Sequence, residues 1–464
     1  MATANKTTKI PDVENAAHGK SLRADTPRSS HGEWVAPLDR KDPVALITSQ
    51  NATRVQWLVP IRHWRMSQSP FAFFRGAAKV MAQDLTDTAA TGIETQICGD
   101  AHLSNFGAYG SPDRELVFDL NDFDETLPGP WEWDLKRLAT SFAIAARHNE
   151  YDSADEAPLA AMAARSYREA MTQFADMRYL EVWYARLTVE DIYKVFADQL
   201  RKKERKSVKK FYRKAMGRDS LQAFEKLAEH VDGRYQIASQ PPLLIPLRDW
   251  PLGSDPEQVE ADIGESFDEY ISTVPDHLQV LLRRFRPADV AMKVVGVGSV
   301  GTRCMIVLLQ GRDAEDPLFL QGKEASRSVL EDHQSDSVYE NHGQRVVVGQ
   351  RLMQAASDSF LGWTTGSISE AHYYWRQLRD MKASPDVESV SPEGMYRLAR
   401  TCGWVLARAH ARSGRSQEIA GYLGKGKVFD RAMGAFAVAY ADQNERDYSA
   451  FRSAIQSGAI KAHE

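Results

Sequence analysis

The sequence is poor in cysteine and has no long apolar run. Three cysteines occur among 464 residues, Cys98, Cys304 and Cys402, and no two of them form a CxxC pair. This spacing excludes a disulfide framework and a zinc knuckle. No stretch of about 18 apolar residues is present, and the polar N-terminal segment of residues 1–30 has no hydrophobic signal core. The sequence therefore predicts a cytoplasmic protein with reduced cysteines and no membrane span.

The chain also lacks a strong charge bias. Its net charge of −5 argues against a broad nucleic-acid-binding surface, and the basic stretch of residues 201–218 is typical of a solvated helix face. At 464 residues, the chain is longer than one hydrophobic core usually supports, so we expect two lobes with a cleft between them.

The distribution of helix and strand patterns predicts an α+β fold with a small antiparallel sheet. We divide the chain into four segments: a disordered polar leader (1–33), a helical lobe that carries acidic loops (34–285), a β-rich nucleotide-binding lobe (286–385) and C-terminal helices that complete the helical lobe (386–464).

The segment "CGDAHLSNFG", residues 98–107, follows a strand-like alternation in "TGIETQI". Phosphoryl transfer needs a carboxylate that orients or deprotonates the acceptor hydroxyl, and oxygen ligands for magnesium. Asp100 suits the first task and Asn105 the second. We expect His102 to brace the loop, and a metal-ligand role for it stays open. An acidic turn with capping aspartates is the alternative interpretation.

A second acidic cluster follows on the predicted strand "RELVFDLNDFDE". Two short strands that bracket a polar loop project side chains into a shared site. One aspartate of this cluster, Asp119, Asp122 or Asp124, is a candidate metal ligand.

The segment "GVGSVG", residues 296–301, has the form GxGxxG and includes Gly296, Gly298, Ser299 and Gly301. A dinucleotide fold needs such a loop to open a helix. Here "TRCMIVLL" follows, whose β-branched and apolar residues predict a strand. The loop therefore has the layout of a kinase glycine-rich loop, whose backbone amides cover ATP phosphates.

The next predicted strand, "LFLQGKEA", supplies Lys323, which is placed to hold the α and β phosphates of ATP. A kinase lysine needs a carboxylate from the neighbouring helix. Glu340 precedes the helical pattern "NHGQRVVVGQ" at a suitable spacing and Glu331 is its rival, while either residue is also explained as a surface glutamate.

The pattern G-D-x-H-x-x-N followed by D-F-D resembles the catalytic and metal-binding loops of aminoglycoside phosphotransferases and related small-molecule kinases. This resemblance implies a two-lobed protein-kinase-like fold. It also implies that Asp100 is the catalytic base and that Asn105 and Asp122 bind metal. Asp134 in "WEWDLKRLA" matches an aspartate that opens a helix in that family.

Two features depart from the kinase pattern. Cys98 stands where those kinases usually have a histidine, two residues before the catalytic aspartate. The order is also different, because the acidic loops at 100–124 precede the glycine loop at 296–301, and "VLARAHARSG", which resembles the helix before the catalytic loop, lies near the C-terminus. Circular permutation accounts for this order.

From about residue 34, the chain also resembles a bacterial family known only as a domain of unknown function. The recognisable blocks are "FAFFRGAA", "GDAHLSNFG", "NDFDETLPGPWEWDLKRL", "VVGVGSVGTR" and "YYWRQLRDMK". This resemblance covers nearly the whole chain and supplies no substrate.

Taken together, these patterns predict a phosphotransferase that uses ATP and Mg²⁺ and acts on a small-molecule hydroxyl. Arg75 in "FFRGAA" either adds positive charge near the phosphates or forms a structural ion pair. A nucleotide-binding regulator without transfer activity is the first alternative. A metallophosphoesterase is the second, because "GDAHLSN" is similar to the Asp-His loops of those enzymes. The acceptor, and the choice between phosphoryl and nucleotidyl transfer, stay open.

Overall fold

The computed structural model describes residues 15–217, 220–231, 234–249, 256–294, 296, 300–313, 315–366, 371–378 and 381–464. Its helices are α1 (Ala16–Ser21), α2 (Pro43–Asn51), α3 (Val59–Met66), α4 (Pro70–Gly76), α5 (Ala78–Leu85), α6 (Trp131–His148), α7 (Glu156–Asp176), α8 (Tyr179–Tyr184), α9 (Val189–Phe196), α10 (Lys202–Met216), α11 (Ser220–Leu227), α12 (Pro256–Thr273), α13 (Asp276–Leu282), α14 (His342–Met353), α15 (Pro392–Arg412), α16 (Ser416–Leu423) and α17 (Val428–Gln456).

The strands are β1 (Glu94–Ile97), β2 (Phe106–Gly110), β3 (Leu116–Leu120), β4 (Leu127–Pro130), β5 (Ala228–Val231), β6 (Arg234–Ile237), β7 (Leu244–Pro246), β8 (Arg286–Lys293), β9 (Cys304–Gln310), β10 (Pro317–Ala325), β11 (Gly362–Thr365) and β12 (His372–Gln377). Helices predominate and the strands are antiparallel, so the predicted α+β class is confirmed.

The largest sheet in the described part of the chain has six strands in the order β11-β12-β10-β9-β8-β7. Each neighbouring pair is antiparallel. Successive residues of β9 point to opposite faces, so Ile306 and Leu308 pack on one side while Val307 and Leu309 pack on the other. Both faces of this sheet are therefore covered by apolar side chains.

Helix α6 lies at the centre of the helical part. Every residue from Trp131 to Ala146 is buried, and α6 packs against α7 and α17. A helix that is buried all round must satisfy its charged groups internally. Lys136 does so by donating from Nζ to Thr88 Oγ1 at 2.8 Å. The helix is thus a rigid support for side chains that reach the acidic loops.

The structure differs from the predicted leader over residues 15–33. This segment contains α1 and contacts α16 rather than lying apart from the fold. Arg23 Nε donates to Tyr422 O at 2.8 Å, and Arg28 Nη1 donates to Leu423 O at 2.7 Å. These bonds satisfy carbonyls at the C-terminal end of α16, which explains why a polar segment packs here.

The boundary between the lobes also differs from the prediction at residue 286. Strand β7 adds to the sheet through β8. Leu227 of α11 packs on one face of the sheet, and Tyr270 and Leu282 of α12 and α13 pack on the other. The residues from α11 to α13 therefore pack with the sheet. In the described part of the chain, no helix has the length and apolar character that crossing a membrane requires.

Candidate functional site

The loop that follows β1 is held by the first turn of α6. The carboxylate of Asp134 accepts hydrogen bonds from the backbone N–H of Cys98 at 2.8 Å and of Gly99 at 2.9 Å. Gly99 has a φ of +79°, and a Cβ at this position would lie 2.7 Å from Glu125 O. Glycine is thus required here, and the turn that it permits presents Asp100.

Asp100 is an ionisable group in a mostly buried position, with 21% of its side chain exposed. Arg137 of α6 donates from Nε to Asp100 Oδ1 at 2.6 Å and from Nη2 to Phe74 O at 2.9 Å. Burial raises the pKa of Asp100 to about 6, although Arg137 opposes this shift. A carboxylate with this pKa is ionised at neutral pH and still basic enough to take a proton.

His102 and Asn105 lie beside Asp100. Nε2 of the buried His102 is 3.7 Å from Asp100 Oδ2, and burial places the pKa of His102 well below its ordinary value. Asn105 Nδ2 donates to Asp100 O at 2.8 Å, and Asn105 O accepts from Asn121 N at 2.8 Å. Asn105 therefore joins the first acidic loop to the second.

Lys323 of β10 reaches the second acidic loop from a strand about 200 residues later. Its Nζ lies 3.7 Å from Asp122 Oδ2 and 3.1 Å from Asp124 Oδ2. Burial lowers the pKa of Lys323, but Asp122 and Asp124 outweigh burial, so its pKa lies well above the ordinary value. Tyr374, the cross-strand neighbour of Lys323 on β12, donates to Asp124 Oδ1 at 2.6 Å. The two halves of the chain thus meet at this ion pair.

Asp119 is directed away from this cluster. It lies on β3, is 2% exposed, and its Oδ1 accepts from Arg408 Nη2 of α15. Its Oδ2 accepts from Ala355 N at 3.1 Å. Both oxygens of Asp119 are thus engaged in the protein interior, away from Lys323, whereas the Asp122 side chain is 31% exposed.

The described parts of the glycine segment lie against the N-terminal helices. Gly301 has a φ of +91°, and its carbonyl accepts from Val55 N at 2.8 Å. Arg54 Nη1 donates to Val300 O at 2.6 Å, and Arg65 Nη1 donates to Gly296 O. Gly298 and Ser299, which the sequence analysis also assigns to nucleotide binding, lie outside the described residues.

The structure does not show the pairing of Glu340 with Lys323 that the sequence analysis predicts. It is exposed, whereas the carboxylates that contact Lys323 are those of Asp122 and Asp124. Glu331 instead accepts from Ser328 N at 2.8 Å in a local capping arrangement.

The residue of α14 that reaches the acidic loop is Arg345. Its Nη2 donates to Asp124 O at 2.8 Å, and its Nη1 donates to Thr126 O at 2.7 Å. The kinase pattern predicts that a glutamate near this helix contacts Lys323. The structure has instead an arginine on the helix that donates to backbone carbonyls of the acidic loop.

Residues from both motif regions line a single cavity of about 370 Å³. Its lining includes Asp100, Asn105, Asp122 and Asp124 from the acidic loops, together with Gly296 from the glycine segment. The volume falls in the range of small-molecule sites, about 300 to 1,000 Å³.

Several residues that line this cavity were missed from the sequence: Arg54, Arg62, Lys79, Glu125, Glu324 and Arg327. Arg54, Arg62 and Lys79 precede Asp100 in the chain, but no spacing rule connects their positions to the acidic loops. Glu125 directly follows the D-F-D motif, and burial raises its pKa to about 7. The cavity thus has charged groups of both signs.

Within the residues that the structure describes, no group of three or more His, Cys, Asp or Glu side chains is arranged to hold a metal ion. The several histidines and acids that a dinuclear phosphoesterase site requires are therefore not assembled there. A single oxygen-ligated ion that shares its ligands with a bound phosphate needs fewer protein groups.

The chain belongs to a family described as an uncharacterized protein conserved in bacteria (DUF2252), whose profile matches residues 54–454. No curated protein and no solved structure matches the chain. The matched range includes both acidic loops and Lys323.

Proposed function

We propose that this protein is a Mg²⁺- and ATP-dependent phosphotransferase with a circularly permuted kinase-like arrangement, acting on a small-molecule hydroxyl. One observation carries the proposal. Lys323 Nζ lies 3.7 Å from Asp122 Oδ2, and Asp122 lines the same cavity as Asp100 and Asn105. A buried lysine beside two aspartates, with a further ionisable aspartate nearby, is the charge arrangement that phosphoryl transfer uses.

The succession of strands supports this interpretation. Strands β8 and β9 flank the glycine segment, β10 carries Lys323, and helix α14 follows before β11 and β12. A protein kinase likewise has a glycine-rich loop between strands, a lysine on the third strand and then a helix. The acidic loops come earlier in this chain, and a permuted connection accounts for that order.

The donor atoms at the acidic loops fit magnesium. Asn105 uses Nδ2 for the bond to Asp100 O, which leaves its Oδ1 as an oxygen donor, and the Asp122 side chain is 31% exposed. Carboxylate and amide oxygens are ligands that Mg²⁺ prefers. Bound Mg²⁺ would neutralise negative charge on the phosphates of ATP.

In the reaction, the acceptor hydroxyl gives its proton to the Asp100 carboxylate as its oxygen forms a bond to the γ-phosphorus. The bond between the γ-phosphorus and the β–γ bridging oxygen breaks, and that oxygen leaves with its electron pair on ADP. Lys323 stays protonated and offsets the charge of the phosphates. Arg137 fixes the Asp100 oxygen at 2.6 Å, so that the carboxylate keeps its position during proton transfer.

The proposal is tested with the full chain by titrating a non-hydrolysable ATP analogue with Mg²⁺ and by measuring Mg²⁺-dependent release of ADP from ATP. Lys323→Met should weaken analogue binding strongly. Lys194→Met is the matched control, because Lys194 is on the surface and pairs with Glu190. Binding without ADP release in the presence of a broad acceptor set would indicate the regulator instead. Absence of analogue binding to the wild type would refute the proposal.

A further inference from the structure

Three arginines of the N-terminal helical region line the cavity without a carboxylate in contact. They are Arg54, Arg62 and Arg75, and among the described residues none of them has an ion pair. Elsewhere in the interior, Arg168 contacts Asp430 at 2.8 Å, and Arg408 contacts Asp119. Buried charges are costly unless they are paired, so an unpaired group of three calls for an explanation.

The direct contacts of Arg54 and Arg62 are with neutral groups, and the carboxylates that act on Arg54, such as Glu125 and Glu324, lie beyond ion-pair distance. Arg62 is fully buried, and it donates to Asn51 Oδ1 at 2.6 Å and to Gly76 O at 2.8 Å. Arg54 donates to Val300 O at 2.6 Å.

The Nε atom of each of these three arginines is buried and has no hydrogen-bond partner. Burial lowers the pKa of Arg54 to about 10, which still leaves its guanidinium charged at neutral pH. These residues therefore place positive charge at the wall of the cavity.

Arg75 is linked to the candidate base Asp100 through the backbone of α4. Arg137 donates both to Phe74 O and to Asp100 Oδ1, and Arg75 is the next residue after Phe74. Asp100 also acts electrostatically on Arg75. A ligand group at Arg75 is thus beside the carboxylate that faces the acceptor hydroxyl, whereas Lys323 serves the nucleotide phosphates.

We propose that Arg54, Arg62 and Arg75 bind an anionic group, phosphate or carboxylate, of the acceptor, so that the acceptor is an anionic small molecule. This inference rests on the proposed phosphotransferase function. A guanidinium binds either anion through two parallel N–H donors, and the anion supplies the missing countercharge. The same three charges repel a polycationic acceptor of the aminoglycoside type.

The test titrates inorganic phosphate into the full-length protein that is already saturated with Mg²⁺ and a non-hydrolysable ATP analogue. Phosphate should bind to this complex. Arg75→Gln should lower phosphate affinity about tenfold or more, because a charge-assisted hydrogen bond is lost, and should leave analogue affinity unchanged. Arg75→Lys should recover part of the affinity since it keeps the charge. Arg165→Gln is the matched control, because Arg165 lies on the surface and pairs with Glu169.

Thermal unfolding of each variant establishes that it is folded. Two results would overturn the inference: no phosphate binding by the wild type, or equal binding by wild type and Arg75→Gln. A third result would also overturn the inference: phosphate competes with the analogue, and Arg75→Gln weakens the binding of both. The arginines would then belong to the nucleotide site. Failure of the analogue itself to bind the wild type refutes the phosphotransferase. A second phosphate titration, of wild type and Arg75→Gln without nucleotide, then tests the arginines separately.

Discussion

The carboxylate of Asp134 accepts a hydrogen bond from the backbone N–H of Cys98 at 2.8 Å. The kinase pattern considered in the sequence analysis would place a histidine at position 98. Here Asp134 braces the loop through the backbone of Cys98. The imidazole of His410 lies against the same carboxylate, with its Nε2 3.2 Å from Asp134 Oδ2. The substitution of cysteine at residue 98 is therefore compatible with a fixed loop.

Replacing Asp134 by alanine should destabilise the protein by about 2–5 kcal/mol, because two buried backbone N–H groups lose their acceptor. Asp134→Asn keeps one oxygen and should cost less. Urea unfolding of both variants measures the difference. Asp113→Asn is the control, since Asp113 is exposed and pairs with Arg186. Equal stability of Asp134→Ala and the control would show that Asp134 does not hold the loop.

Asp100→Asn should reduce turnover by about 10²- to 10⁴-fold, the usual contribution of a general base. Binding of the ATP analogue should be nearly unchanged, because in the proposed mechanism Asp100 faces the acceptor. Steady-state kinetics and calorimetry on the same preparation separate the two effects. Turnover equal to that of the wild type would remove Asp100 from the mechanism.

The activity should rise with pH through about 6, because burial raises the pKa of Asp100 to about that value and the base must be ionised. Below this pH, kcat/KM should fall about tenfold per pH unit. Arg137 opposes the effect of burial, so Arg137→Met should move the inflection to higher pH. An inflection that stays in place in this variant would indicate that another group titrates.

Asp100 should also make folding stability depend on pH. Its folded pKa of about 6 lies above the ordinary value of 3.8, so its contribution to stability is greatest below about pH 4 and is lost as the pH rises to 6. The full difference is about 3 kcal/mol. Asp100→Asn should therefore be more stable than the wild type at pH 8 by up to that amount, with the difference vanishing near pH 4. Unfolding measurements across this pH range test the prediction.

Replacement by asparagine should have different effects at Asp119 and at Asp122. Asp119→Asn leaves the buried Arg408 without its countercharge and should cost about 3–5 kcal/mol of stability. Asp122→Asn should keep stability near that of the wild type and weaken the Mg²⁺ dependence of nucleotide binding. Urea unfolding and Mg²⁺ titrations of both variants provide the comparison. A loss of Mg²⁺ dependence in Asp119→Asn at unchanged stability would reverse the assignment.

Local patterns were sufficient to predict many elements but not their partners. The strand before Asp100, the lysine strand and helix α14 follow from alternation and helical spacing, which depend on neighbouring residues only. The choice of Glu340 as the partner of Lys323 is different, because it extrapolates from a kinase pattern to a long-range contact. Arg54 lies about 250 residues from Val300, whose carbonyl accepts its hydrogen bond. No pattern of neighbouring residues predicts a contact over that separation.

The long separation between Asp124 and Lys323 has a consequence for synthesis of the protein. The ribosome adds Asp124 199 residues before Lys323, which at about 5–20 residues per second is a delay of about 10 to 40 s. Helices α15 and α17, which complete the core around α6, emerge later still. The nascent chain thus carries its acidic loops without their cation while these 199 residues are added. The helical core around the loops is complete only when the last helices have left the exit tunnel.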